Sequence, residues 1–260
     1  MTALLSTDGV KKAYGGVQAL NGATISVEEG TVAGLIGPNG SGKTTLFNVI
    51  TGYERPDEGR VCFGDKVITN YPPDKVFAAG IGRTFQLTRI FPRLTVLENM
   101  LIAAQGKDQP RNLLSWLGRG TWTQHRKHAM DLLEFVGIAR HAEALAGSLS
   151  YGQRKLLELA YVLIADPQVI LLDEPAGGVN PTLINHIADR IRELNSQGKT
   201  FLIVEHNMEF VMGLCSAITV LESGATVASG PPEIIKTDKR VLEAYLGADL
   251  EEDSDDHARQ

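Results

Sequence analysis

The sequence predicts an α/β fold: a mixed, mainly parallel core sheet with an antiparallel β subdomain and an α-helical subdomain. Three observations lead there. Short, continuous apolar runs at Val32–Ile36, Val169–Asp173 and Phe201–Glu205 read as buried strands, and a helical pattern follows each. Near the start, Leu4–Val10, Ala23–Val27 and Arg60–Phe63 alternate more, as strands of an antiparallel sheet do. Between these regions the chain turns helical.

Each element has a local reason. Thr95-Val-Leu-Glu98 has capping-box spacing, with Thr95 as N-cap, and opens a helix over Val96–Gln105. Gly106 to Gly120 is rich in Gly, Pro and Arg, holds Trp116, and reads as an irregular surface insertion. A further helix is expected over about Thr123–Val136. Ala217–Glu222 and Ala225–Ser229 flank Ser223-Gly224, a hairpin turn. The chain shows no internal repeat, so a second copy of the domain is not expected.

Bulk properties narrow the function. With 43% apolar and 22% charged residues the chain has an ordinary globular composition. No run approaches the roughly 18 apolar residues of a membrane span. The opening MTALLSTDGVKKAYGG carries no basic region followed by an apolar core, so no secretion signal is expected. Cys62 and Cys215 lie far apart in apolar surroundings and read as buried free thiols of a cytosolic protein. From Asp249 onward six acids and one Arg sum to −5, leaving about −1 of the total −6 for the rest. A near-neutral body with no basic stripe excludes a nucleic-acid binder. The acidic end, 249–260, reads as a disordered, solubilising tail. His125 and His128 share a face of the expected helix, but with Arg126 and Lys127 between them they read as a solvated basic face.

Gly37-Pro-Asn-Gly-Ser-Gly-Lys-Thr44 matches the phosphate-binding loop G-x-x-x-x-G-K-[ST], placed between a strand and the helical run Thr45–Thr51. Glycines let backbone N–H groups turn inward around phosphate at a helix N-terminus, where the dipole favours anions. Gly37, Asn39, Gly40, Ser41, Gly42, Lys43, Thr44 and Thr45 are the candidate nucleotide contacts. Lys43 is assigned to the β- and γ-phosphates and the Thr44 hydroxyl to Mg²⁺. Val169–Asp173 ends in Asp173 and Glu174, which places two carboxylates at the carboxyl edge of a parallel sheet. Asp173 fits the Mg²⁺ role and Glu174 a general base for an attacking water.

Leu149-Ser-Tyr-Gly-Gln153 precedes a helical run over Arg154–Ala165. Ser150 and Gln153 have capping-box spacing, and the same free N-terminus can present Ser150 and the Gly152 amide to an anion. A second copy supplying that anion across an interface is the simpler geometry. Cap and anion site are compatible.

Together these motifs, in this order with His206, resemble the ABC ATPase family over essentially the whole chain up to the tail. The resemblance implies a P-loop NTPase fold in a single nucleotide-binding domain, 1–248, with a helical subdomain inserted at about 88–165. It implies that ATP and Mg²⁺ are bound, and that ATP hydrolysis drives transport. It implies that Ser150, Gly152 and Gln153 complete the partner's ATP site. Gln86 is implied as a γ-phosphate sensor contacting Mg²⁺ or water, His206 as the switch histidine, and Tyr14 as the aromatic stacked on adenine. Asn180 departs from the aspartate common at its position. Further likeness in LFNVITGYERPDEGRV, GIGRTFQLTRIFPRLTVLENMLIA and RVLEAYLG is to the ATP-binding subunits of branched-chain amino-acid uptake systems. Urea or amide importers and lipopolysaccharide exporters share much of it. The partners so implied are a second ATP-binding subunit, identical or not, transmembrane permease subunits and, indirectly, a substrate-binding protein. The implied location is cytoplasmic, on the inner face of the membrane.

Overall fold

The computed structural model describes residues 3–84, 90–105 and 119–244. The chain runs β1 (Ala3–Tyr14), β2 (Val17–Glu28), β3 (Val32–Ile36), α1 (Lys43–Ile50), β4 (Glu58–Phe63), β5 (Lys66–Val67), α2 (Pro73–Ala79) and β6 (Ile81–Arg83). It continues through α3 (Val96–Gln105), α4 (Arg119–Phe135), α5 (Tyr151–Leu163), β7 (Val169–Asp173), α6 (Pro181–Ser196) and β8 (Thr200–Val204). Then come α7 (Met208–Leu214), β9 (Ala217–Glu222), β10 (Ala225–Gly230) and α8 (Pro232–Ile235).

The main sheet has the order β10-β9-β3-β8-β7-β6 and is parallel except for the β9–β10 hairpin. Its three central strands are buried at every position. Alternation explains how one strand serves two layers. Ala33, Leu35, Val169, Leu171, Leu202 and Val204 point toward α1 and the second sheet. Val32, Ile36, Ile170, Leu172, Phe201 and Ile203 point toward the helices. At Gly34 a methyl would sit 3.1 Å from Val211 and 3.2 Å from the Cys215 sulfur, so α7 packs directly on bare backbone.

The second sheet, β2-β1-β4-β5, is wholly antiparallel. Its apolar face (Leu5, Leu20, Ile25, Val61) closes over α1, whose Leu46, Phe47 and Ile50 are buried between the sheets. The expected strands here run longer than the alternation suggested, because β1 and β2 continue as a hairpin across Gly15-Gly16, with φ of 52° and 93°.

Of the segment 88–165, the described part carries α3, α4 and α5. Val96, Met100, Leu133, Leu157 and Ala160 meet in one cluster there. Thr95 caps α3: its hydroxyl accepts from the Glu98 amide while Glu98 accepts from the Thr95 amide. Asn99 is fully buried, accepting from the Phe91 amide and donating to the Phe91 and Thr95 carbonyls. Those bonds replace the water that a buried amide gives up.

Several expectations shift. The helix expected from Thr123 begins at Arg119, and the strand expected to end at Glu205 ends at Val204. Cys215 is buried but Cys62 only half so. Ser223-Gly224 forms the turn as expected, with φ of 47° and 78°. Gln86, Trp116 and the acidic tail lie outside the described residues.

Candidate functional site

Register brings the site together before any side chain is considered. Leu35 pairs with Val204, and Val204 pairs with Asp173, so β3, β8 and β7 end at one level. The glycine loop 37–42 leaves β3 there, Glu205 and His206 leave β8, and Glu174 leaves β7. This is the carboxyl edge at which open α/β sheets place their ligands.

The loop depends on its glycines. Gly37 has φ 152°, and a Cβ on it would lie 2.1 Å from the Leu221 carbonyl oxygen. Gly42 caps α1 in the left-handed region, φ 99°, and its Cβ would lie 2.4 Å from the Ala19 carbonyl. Ser41 is buried, and its carbonyl accepts from the Gly224 amide in the β9–β10 turn. Gly40 and Asn39 are exposed at the crest of the loop. Lys43 folds back, donating to the Gly37 and Pro38 carbonyls at 2.7 and 2.8 Å. Burial lowers its pKa, while the charges of Glu174 and Asp173 raise it, so the ammonium and both carboxylates share one electrostatic field. Thr44 is exposed and Thr45 half-buried in the first turn of α1.

Asp173 and Glu174 are adjacent but unlike. Asp173 is 3% exposed; its Oδ2 accepts from Arg83 at 2.9 Å, and its amide donates to the Thr84 hydroxyl. Its Oδ1 is buried with no hydrogen-bond partner among the described residues. A buried carboxylate oxygen left unpaired at a strand end is a hard donor suited to a hard cation. Glu174 is half-buried at φ 49°, a left-handed conformation that costs a non-glycine residue about 1–2 kcal/mol. Its Oε1 lies 4.0 Å from the His206 Nδ1, and His206 is exposed. The sequence-predicted Glu174, His206, Lys43 and Asp173 therefore converge.

Tyr14 stands at the tip of the β1–β2 hairpin, 43% exposed, with Lys12 Nζ 5.4 Å from its ring centroid. Burial, and then the charge of Glu54, raise its phenol pKa. Ala19 and Leu20 of the same hairpin lie against Gly42, so β2 packs on the loop.

Ser150, Gly152 and Gln153 lie elsewhere. Ser150 caps α5 in a complete capping box with Gln153. Gln153 also meets His141 at 3.0 Å. A Cβ on Gly152 would lie 2.3 Å from a Leu183 methyl, so α5 starts hard against α6. These residues and Gly178–Asn180 line a concavity of about 340 Å³. Its neighbours are α6 and residues 178–180, whereas the glycine loop's are Ala19, Leu221 and Gly224. Asn180 caps α6, its side chain accepting from the Leu183 amide. The missing charge forfeits only a dipole interaction while the cap is kept.

A family model described as ABC transporter matches residues 20–177. The chain belongs to the ABC transporter family. A second model, branched-chain amino acid ATP-binding cassette transporter, matches residues 225–251 of this ABC ATPase. The cassette is 41% identical to a probable branched-chain amino acid transport ATP-binding protein LivG from Archaeoglobus fulgidus, over 94% of this chain and 96% of that one. It resembles the crystal structure of the ADP conformation of an ABC transporter cassette at a TM-score of 0.82 and 36% identity, covering 95% and 100%. It also resembles the dimeric structure of a bacterial ABC transporter cassette, at 0.77 and 26%, covering 88% and 98%. Among its described residues no helix is long and apolar enough to cross a membrane.

Three residues of the cassette's site escaped sequence reasoning. Arg83, nearly fully buried, reaches Asp173, Asn48 and Thr51. Glu205 is fully buried, its carboxylate accepting from the Ala176, His206 and Asn207 amides at 2.6–3.1 Å. Lys155 reaches the Glu174 carbonyl at 2.9 Å. A charge at the inner end of an apolar strand, as at Arg83 and Glu205, is the available signal, since buried charge requires partners.

Proposed function

We propose that this ABC ATPase powers the import of branched-chain or closely related amino acids through separate transmembrane permease subunits, on the inner face of the membrane. The observation carrying the catalytic part is the convergence of Lys43, Asp173, Glu174 and His206 at one sheet edge. The cargo rests on the 41% identity to the A. fulgidus relative and on the match at 225–251. Residues 1–248 are read as one nucleotide-binding domain.

ATP lies along the loop 37–45, its adenine against Tyr14. Lys43 exchanges its bonds to the Gly37 and Pro38 carbonyls for the β- and γ-phosphates. Asp173 and Thr44 would hold Mg²⁺, with Gln86 assigned to the same role by the family resemblance; the ion would supply charge neutralisation at the phosphates. Glu174 accepts a proton from water as its oxygen bonds to the γ-phosphorus. The bridging bond to the β-phosphate breaks, and ADP and phosphate leave. His206, whose Nδ1 lies 4.0 Å from the Glu174 Oε1, is assigned to donate toward the γ-phosphate. Ser150 and Gly152 lie apart from their own loop, so a second cassette's α5 N-terminus completes each site. Dimerisation is also in keeping with the dimeric cassette at 26% identity.

The test is reconstitution of the cassette with its permease subunits in vesicles, together with a cognate binding protein. Leucine, isoleucine or valine on that protein is expected to raise ATP hydrolysis and drive uptake. Hydrolysis indifferent to these amino acids but stimulated by urea or amides would replace the cargo assignment.

A further inference from the structure

α5 carries two features five residues apart, Ser150 and Lys155, that face different places. Ser150 caps its start, while Lys155, in its second turn, donates to the Glu174 carbonyl at 2.9 Å. Tyr151 lies on the same side: its ring sits 5.8 Å from the Lys155 Nζ and touches Gly178. One face of α5 is thus applied to the loop that leaves β7.

The conformation gripped there is an unfavourable one. Glu174 has φ 49° although it is not glycine, and it precedes Pro175, which disfavours helical backbone at the residue before it. Three hydrogen bonds hold it: its amide donates to the Val204 carbonyl, and its carbonyl accepts from the Gly177 amide and from Lys155. Only the Lys155 bond comes from another subdomain, and only it carries a charge. A non-glycine residue persists in this region when its surroundings over-determine it.

We infer that Lys155 is a positioning residue that ties the orientation of the Glu174 carboxylate to the position of α5. It rests on the reading of Glu174 and Ser150 given above. The consequence is a lever. When the partner's nucleotide engages Ser150, α5 shifts, Lys155 moves with it, and the Glu174 peptide of the same subunit is set. Occupancy of one composite site thereby acts on the catalytic carboxylate of the other, a coupling between sites in the thermodynamic sense.

Lys155→Met and Lys155→Arg test this in the full cassette, beside Glu174→Gln. For Lys155→Met, kcat is expected to fall about tenfold or more with the KM for ATP within about twofold, the pattern of an interaction used only at the chemical step. Cooperativity in ATP is expected to weaken. In nucleotide-free protein the Gly177 amide, bonded to the Glu174 carbonyl, is expected to exchange hydrogen faster. Lys155→Arg is expected to restore most of kcat. If Lys155→Met melts below the assay temperature, Lys155→Gln carries the same comparison. Native kcat, cooperativity and exchange in the uncharged variant overturn the inference, as does a loss that arginine does not restore. Should Glu174→Gln itself hydrolyse ATP at the native rate, the reading of Glu174 falls instead.

Discussion

Asp173 and Glu174 share a peptide bond and almost nothing else. The strand turns Asp173 into the interior, where Arg83 meets one oxygen and the other is unpaired among the described residues. The left-handed turn throws Glu174 toward His206 at the edge. Burial decides chemistry at Cys215 as well, whose thiol is pushed up to about 12. An unfolded thiol ionises near about 8.5. The folded thiol stays neutral well above that, so its contribution to stability is complete below the unfolded value and is lost progressively as pH rises from there through the folded value of about 12. Alkylation at pH 8.5 followed by peptide mass analysis is expected to modify Cys62 and spare Cys215 until denaturant is added. Equal modification of both in native protein would contradict the packing of α7 on Gly34. Which residues were legible follows the same division. Lys43, Asp173 and Glu174 are marked by their immediate neighbours in sequence, whereas Arg83 and Glu205 take meaning from partners some 30 to 90 positions away.

At the scale of elements, local signals carried far. Thr95 and Ser150 both form the capping boxes their spacing announced, since each needs only a few consecutive residues. Strand ends were less legible. The apolar run at Phe201 did not separate Glu205 from the strand, because its bond from the Ala176 amide comes only with folding, although the His206 and Asn207 amides are adjacent in sequence. The start of α5 now separates stability from activity. Ser150→Ala removes a cap, so unfolding is expected to become easier by about 1 kcal/mol. If the cap were the whole role, turnover per folded molecule would stay native. The expected outcome is a folded but nearly inactive protein, read from a melting curve and a hydrolysis assay on the same sample.

For the whole molecule, the arrangement of surfaces matters more than any single contact. One end of the sheet carries the glycine loop and the acidic pair, while the α5 N-terminus opens beside Gly178–Asn180 into its own concavity. In the proposed arrangement neither alone surrounds a triphosphate, and two cassettes placed head to tail would bring each loop to the other's α5. The most direct measurement of this is the mass of the Glu174→Gln protein by light scattering, with and without Mg·ATP. The acid is gone but the nucleotide contacts remain, so hydrolysis is expected to slow by about 10²–10⁴. ATP is then expected to stay trapped and to double the mass, an effect that adding Ser150→Ala weakens. A protein that stays monomeric in saturating ATP, or that hydrolyses it at the native rate, would contradict a site shared between two copies with Glu174 as its base.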